Sequence, residues 1–139
     1  MGYYIDLEFD EQPSLDAEAI AAKIVGTGAL RIPDEDAGPK SDRFIDLLHP
    51  LLISSITVRR QRPEGGQWAY YRLSWATEPG QLMIELENLL NLAGVIGCRL
   101  YDGQVGEYVN REHLSKIQSV FSKSSANVIG LIGKVDKKS

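Results

Sequence analysis

The stretch from Ser54 to Trp75, SSITVRRQRPEGGQWAYYRLSW, constrains the fold more than any other part of the chain. Two runs rich in β-branched and aromatic residues flank Arg62-Pro63-Glu64-Gly65-Gly66. That centre is turn chemistry, with Pro pre-setting one φ and Gly supplying positive ones, so the segment reads as a β-hairpin. In its first strand Ile56 and Val58 fall on one face, and Thr57, Arg59 and Gln61 on the other. In its second, Ala69, Tyr71, Leu73 and Trp75 share a face opposite Trp68, Tyr70, Arg72 and Ser74. A slip of one residue would turn both apolar sets to water, so the register is strongly specified.

Upstream, Tyr3, Ile5, Leu7 and Phe9 alternate with Tyr4, Asp6, Glu8 and Asp10. This is a half-buried strand with an acidic outer face. Pro13-Ser14 opens a helix in which Ser14 is the N-cap, Asp16 and Glu18 suit the first turn, and Gly26 or Gly28 is the stop. Its apolar stripe is Leu15, Ala19 or Ile20, and Ile24. Residues 31–40 carry loop signals: Pro33, the triplet Asp34-Glu35-Asp36, Gly38 and Pro39. Ser41 caps a short helix with Phe44, Ile45 and Leu48 inward, stopped at His49-Pro50.

Beyond the hairpin, Thr77 caps a helix with Pro79 in its first turn and Leu82, Leu86, Leu89, Leu90 and Ala93 as its stripe. Gly94 and Gly97 finish it. Residues 98–101 form a short strand, Asp102-Gly103 a turn and 106–109 a return strand. Asn110 caps a last helix carrying Leu114, Ile117, Val120 and Phe121. The apolar, glycine-rich segment 127–135 reads as an edge strand or a cover for the core, and 136–139 as a frayed tail. The order predicts an α+β fold in one domain over residues 1–135. Its layout is ferredoxin-like βαββαβ, with an antiparallel sheet, helices on one face and an added C-terminal helix.

A chain of 139 residues can bury a core without staples. Its net charge of −4 and pI near 5.2 give no global bias towards nucleic acid or anionic membrane. The single cysteine, Cys98, rules out an internal disulfide framework and agrees with a reducing compartment. No basic start precedes an apolar run, and no apolar run approaches the roughly 18 residues of a membrane span, so a cytoplasmic protein is expected. His49 and His113 have no companion at metal-ligand spacing. Cys98 reads as a structural thiol. Asp34, Glu35 and Asp36 lack the alternating spacing of a calcium loop. Asp6 and Glu8 share a strand face as an acid–base pair would, but nothing marks an environment that separates their pKa values. No phosphate-cradling glycine string occurs. No catalytic residue, metal or cofactor is therefore assigned.

What the layout does predict is an open sheet face. It gathers Tyr4, Asp6 and Glu8 from the first strand, Arg59, Trp68, Tyr70 and Arg72 from the hairpin, and Arg99 and Tyr101 from the fourth strand. Tyr, Trp and Arg dominate binding hot spots because they bury large areas at modest entropic cost. Two structural readings compete with a binding face. The charges and rings could pair across strands on a solvated sheet, or the C-terminal helix or tail could fold over them.

The start Gly2-Tyr-Tyr-Ile-Asp-Leu-Glu-Phe9 and the run Cys98-Arg-Leu-Tyr-Asp-Gly-Gln-Val-Gly-Glu-Tyr-Val109 resemble strand-turn segments of the small cytoplasmic immunity proteins of bacterial toxin systems. Those proteins are diverse in fold, so no residue role transfers position by position. The resemblance implies a pre-organised acidic surface that docks on a toxin and occludes it. Asp6, Glu8 and Asp34, Glu35 and Asp36 would then meet basic groups, and Trp68 or Tyr70 would anchor. The expected function is a non-enzymatic protein-binding module whose partner is another protein, in the sharpest case a basic toxin domain. The alternatives are a sheet that stacks single-stranded RNA, disfavoured by Asp6 and Glu8 beside phosphate, and a small-ligand or oligomeric ferredoxin-like domain. A sheet-edge homodimer is compatible with all three.

Overall fold

A computed structural model describes residues 2–123. In chain order these form β1 (Gly2–Glu8), α1 (Ala17–Val25), β2 (Leu30–Arg31), α2 (Asp34–Ala37), β3 (Phe44–Leu48), β4 (Ile56–Arg59), β5 (Ala69–Ser74), α3 (Pro79–Ile96), β6 (Arg99–Asp102) and β7 (Glu107–Tyr108). A last helix, α4, occupies residues 114–123. The seven strands make one open antiparallel sheet in the order β2-β3-β4-β5-β1-β6-β7. The segments proposed as an edge strand and a frayed tail, 127–135 and 136–139, lie outside the described residues.

The central hairpin forms in the expected register, with Ile56 opposite Tyr71 and Val58 opposite Ala69. Its loop turns at Gly65, whose φ of 72° lies in the left-handed region that glycine enters without strain. Strand β1 lies between β5 and β6, and its inward residues Tyr3, Ile5 and Leu7 are buried. One face of α1 closes over them through Ala17, Ile20, Ala21 and Ile24, and α3 adds Leu82, Leu86 and Leu89 to the same cluster. Helix α4 joins it through Leu114, Ile117 and Phe121, the Phe121 ring standing 5.5 Å from Tyr3 and 4.7 Å from Trp75. Helices α1, α3 and α4 therefore cover the face to which Tyr3, Ile5 and Leu7 point. Folding of α4 over the opposite face is excluded for the described residues.

Residues 44–48 differ from expectation. The apolar residues of Phe-Ile-Asp-Leu-Leu fit a helical turn through 44, 45 and 48, but they also fit a strand through 45 and 47. The strand prevails because β4 would otherwise present an unpaired edge, and β3 pairs that edge with Ile45 opposite Val58 and Leu47 opposite Ile56. Within residues 31–40, expected to be all loop, the two-residue β2 pairs with β3, and α2 forms with Asp36 and Ala37 N–H donating to Pro33 O.

The caps also moved. Residues 13–14 are a turn, and the Asp16 carboxylate rather than Ser14 caps α1, accepting from the Ala19 N–H at 2.9 Å. Such a bond contributes about 1 kcal/mol. Thr77 instead donates its N–H to Ser74 O, leaving Glu78 at the N-cap of α3 with no side-chain bond and Pro79 at the first helical position. At the far end of α3, Gly97 adopts φ 85° and donates its N–H to Ala93 O.

The strand assignment makes neighbouring leucines unequal: Leu47 is fully buried, whereas Leu48 is 46% exposed. Leu47→Ala is expected to lower unfolding free energy by about 2–5 kcal/mol and Leu48→Ala by less than about 1 kcal/mol. Urea denaturation of the two variants measures this, and equal losses would contradict the strand.

Candidate functional site

Alternation along five strands, combined with their register, builds a continuous lateral row on the face that the long helices among the described residues leave uncovered. It runs Asp46–Thr57–Tyr70–Asp6–Tyr101, and Tyr108 of β7 continues it beyond Tyr101. Flanking this row, Phe44 lies opposite Arg59, Tyr4 opposite Arg72 and Glu8 opposite Arg99. Tyr4, Asp6, Glu8, Arg59, Tyr70, Arg72 and Tyr101 are thus brought to one surface, as their parity predicts.

Most of these groups hold one another. The rings of Tyr4 and Tyr70 meet edge to face at 5.6 Å, and the Arg59 guanidinium lies 4.6 Å from the Tyr70 ring centre. Arg59 also donates to Gln67 O at 2.8 Å. On the other side of Asp6, the Tyr101 and Tyr108 rings meet at 5.2 Å, and the Arg99 guanidinium lies 4.7 Å from the Tyr108 ring centre. Arg99 pairs with Glu8, and the Tyr108 hydroxyl lies within 3.0 Å of both Glu8 oxygens. At the β3 end, Thr57 donates to Asp46 at 3.0 Å. Asp6 is different: it is half-buried and accepts no hydrogen bond among the described residues. Burial raises its pKa, Arg59 works against that rise and Glu8 adds to it. A shallow depression of about 550 Å3 adjoins this row, lined by Tyr4, Tyr70, Arg72, Phe44, Asp46 and Thr57.

No family model, curated protein or solved structure matches the chain. The site therefore rests on its own geometry.

Four of the expected contact residues lie elsewhere. Trp68 precedes β5 and packs against the core, in a cleft of about 430 Å3 shared with Phe9, Pro13 and Leu15. Asp34 pairs with Arg60 at 3.1 Å and with Arg31 at 3.7 Å, and both arginines also pair with Glu18 of α1. The Arg31 hydrogen bond is the main cause that holds the Glu18 carboxyl below its ordinary range. Asp34 is thus linked through two arginines to Glu18 of α1, while Glu35 and Asp36 stay exposed on α2. Cys98 is half-buried, and burial pushes its thiol up to about 12, away from thiolate chemistry.

Two buried polar groups escaped the sequence reading. Asp102 is completely buried; its Oδ2 accepts from the Tyr3 hydroxyl and lies 2.9 Å from His113 Nε2, and its Oδ1 accepts from the Gln104 and Val105 N–H groups. His113 Nδ1 faces Glu107 at 3.2 Å, and Lys116 donates to the same Glu107 oxygen at 2.7 Å. Both ring nitrogens of His113 thus face carboxylate oxygens. Burial first, then the Asp102 hydrogen bond and charge, hold the Tyr3 phenol well above the ordinary tyrosine range. The second group is Glu85 of α3, buried against β5. Its Oε1 accepts from the Tyr71 hydroxyl and from Ile53 N–H at 2.7 Å, while its buried Oε2 has no hydrogen-bond partner among the described residues. Asp-Gly reads as a turn and glutamate as solvent, so only a helical-wheel position amid Leu82, Leu86 and Leu89 could have marked Glu85.

Two outcomes are expected. Asp102→Ala strands the Tyr3 hydroxyl and the His113 ring in the core, and lowers unfolding free energy by about 3–5 kcal/mol in urea titrations. Glu85 has a folded-state pKa raised above 4.5, mainly by burial and against the Ile53 and Ser54 N–H groups. Folding favours its protonated form, so its contribution is fullest below the unfolded value and is lost as pH rises through the raised one. The stability of Glu85→Gln relative to the wild type therefore rises as pH increases from the ordinary carboxylate value of 4.5 up through the raised one. A constant difference across that range would refute the assignment.

Proposed function

We propose that the chain is a non-enzymatic protein-binding module that docks through the open sheet face. In its sharpest form it is an inhibitor of the immunity type that occludes a basic toxin domain. One observation carries the reading. Every long helix among the described residues lies on the other side of the sheet, while Tyr4, Tyr70, Tyr101 and Tyr108 stand in two edge-to-face pairs on the uncovered side, interleaved with arginines and carboxylates. Ring pairs braced by neighbouring guanidinium groups are already ordered, which lowers the entropic cost of contact. The buried polar groups support a binding role over catalysis, because Tyr3, Asp102 and His113 are engaged with one another inside the core. Asp6 and Glu8 in the middle of the face disfavour a phosphate backbone. For the architecture, the spatial order β4-β5-β1-β6 with α1 and α3 between strands supports a ferredoxin-like centre, widened by β2 and β3 at one side and β7 at the other.

Trp68 packs against the core, so the clean test uses Tyr4 and Tyr70. Tagged wild-type protein and a Tyr4→Ala, Tyr70→Ala double variant are used for capture from host lysate at low and high salt. A single stoichiometric protein, released by salt and retained about 100-fold less well by the folded variant, is the expected result. Undiminished capture by that variant would remove the face from consideration, and nuclease-sensitive recovery would favour a nucleic-acid role instead.

A further inference from the structure

The open face contains a completed recognition unit and, beside it, a similar unit lacking one component. In the completed unit Glu8 pairs with the Arg99 guanidinium, which also lies over the Tyr108 ring, and Tyr108 donates its hydroxyl back to Glu8. Carboxylate, guanidinium and phenol ring are thus joined in one group. Two residues earlier on the same face of β1, Asp6 has Tyr70 as its cross-strand neighbour on one side and Tyr101 on the other. It is half-buried and, among the described residues, no guanidinium, ammonium or N–H donates to it. Arg59 acts on Asp6 electrostatically, but its guanidinium lies over Tyr70 and donates to Gln67 O. Glu8, the other charged group that acts on Asp6, is of like sign. A carboxylate partly removed from water and left without a donor is costly to hold unless a cation reaches it.

We propose that Asp6, between Tyr70 and Tyr101, is the seat for an arginine side chain presented by a partner protein, which completes in trans the arrangement that Arg99 completes in cis at Glu8. Arginine suits the position better than a compact ammonium. Its planar fork can donate two parallel N–H bonds to the carboxylate while its flat face lies on a phenol ring, and it is the more weakly hydrated cation. The chain's net charge of −4 favours approach of such a partner. This inference rests on the open face being the docking surface and specifies what its partner must offer.

The probes are two short peptides, Ac-Gly-Arg-Gly-amide and its citrulline counterpart, which keeps the shape and loses the charge. They are titrated into isotope-labelled protein while the Asp6 carboxylate carbon and the tyrosine ring signals are followed by NMR. The arginine peptide should give saturable shifts at Asp6, Tyr70 and Tyr101, at least about tenfold tighter than the citrulline peptide. Asp6→Asn should abolish them, whereas Asp46→Asn, on the same face but bonded to Thr57, should leave them intact. Unchanged core methyl signals in each variant show that the fold persists. The arginine-peptide shifts should also fade as pH falls through the raised Asp6 pKa, before an ordinary aspartate at 3.8 protonates. Equal binding of both peptides, equal binding by Asp6→Asn, or shifts spread evenly over the surface carboxylates would each overturn the proposal. A protein partner that needs Tyr4 and Tyr70 yet binds Asp6→Asn as well as wild type would overturn this seat while leaving the docking face in place.

Discussion

The Asp102 carboxylate ties together three parts of the chain that are far apart in sequence. Through Tyr3 it holds the start of β1, through its own position it ends β6, and through His113 it receives the approach to α4. A fully buried carboxylate is tolerated only when its lone pairs are met, and here two backbone N–H groups, a phenol and an imidazole meet them. Next to this cluster α4 docks with Phe121 against Tyr3 and Trp75. The asymmetry of the molecule follows. The last helix is drawn to the side already covered by α1 and α3, and the opposite side of the sheet keeps its side chains outward.

The two faces consequently solve their electrostatics differently. Inside, among the described residues, each buried side-chain polar atom has a hydrogen-bond partner apart from one oxygen of Glu85. Outside, ring pairs and ion pairs brace the surface in patches, and the patches differ in completeness along a single strand. Glu8 and Asp6 are two residues apart with the same orientation, yet one is closed by Arg99 and Tyr108 and the other is not. In the seat proposed at Asp6, fixed neighbours would leave little to move when a partner's arginine arrives.

Legibility from the sequence followed the strength of local pattern. The hairpin and β1 were readable because strict alternation over six or more residues admits one register, and α3 because its leucines recur at helical spacing. Segment 44–48 was ambiguous because Phe44-Ile45 and Leu47-Leu48 match both periods, and its state was decided by the free edge of β4, a tertiary fact. Trp68 had the parity of the open face but sits where β5 begins, and Phe9, Pro13 and Leu15 offered it an apolar cleft. The pairing of Asp34 is not legible locally because its partners Arg31 and Arg60 flank β3 from either side. The Tyr3–Asp102–His113 cluster was hidden for a similar reason, since 99 residues separate its first two members.

Both margins of the sheet end in strands of two residues, β2 at one side and β7 at the other. A strand that short exposes very few main-chain donors and acceptors, so among the described residues neither margin is much of a template on which another polypeptide could lay down a strand. Main-chain templating is largely indifferent to sequence, whereas contact across a pleated surface is decided by which side chains stand where. For the binding role proposed above, blunted margins and an open pleat among the described residues would leave the choice of partner to side chains.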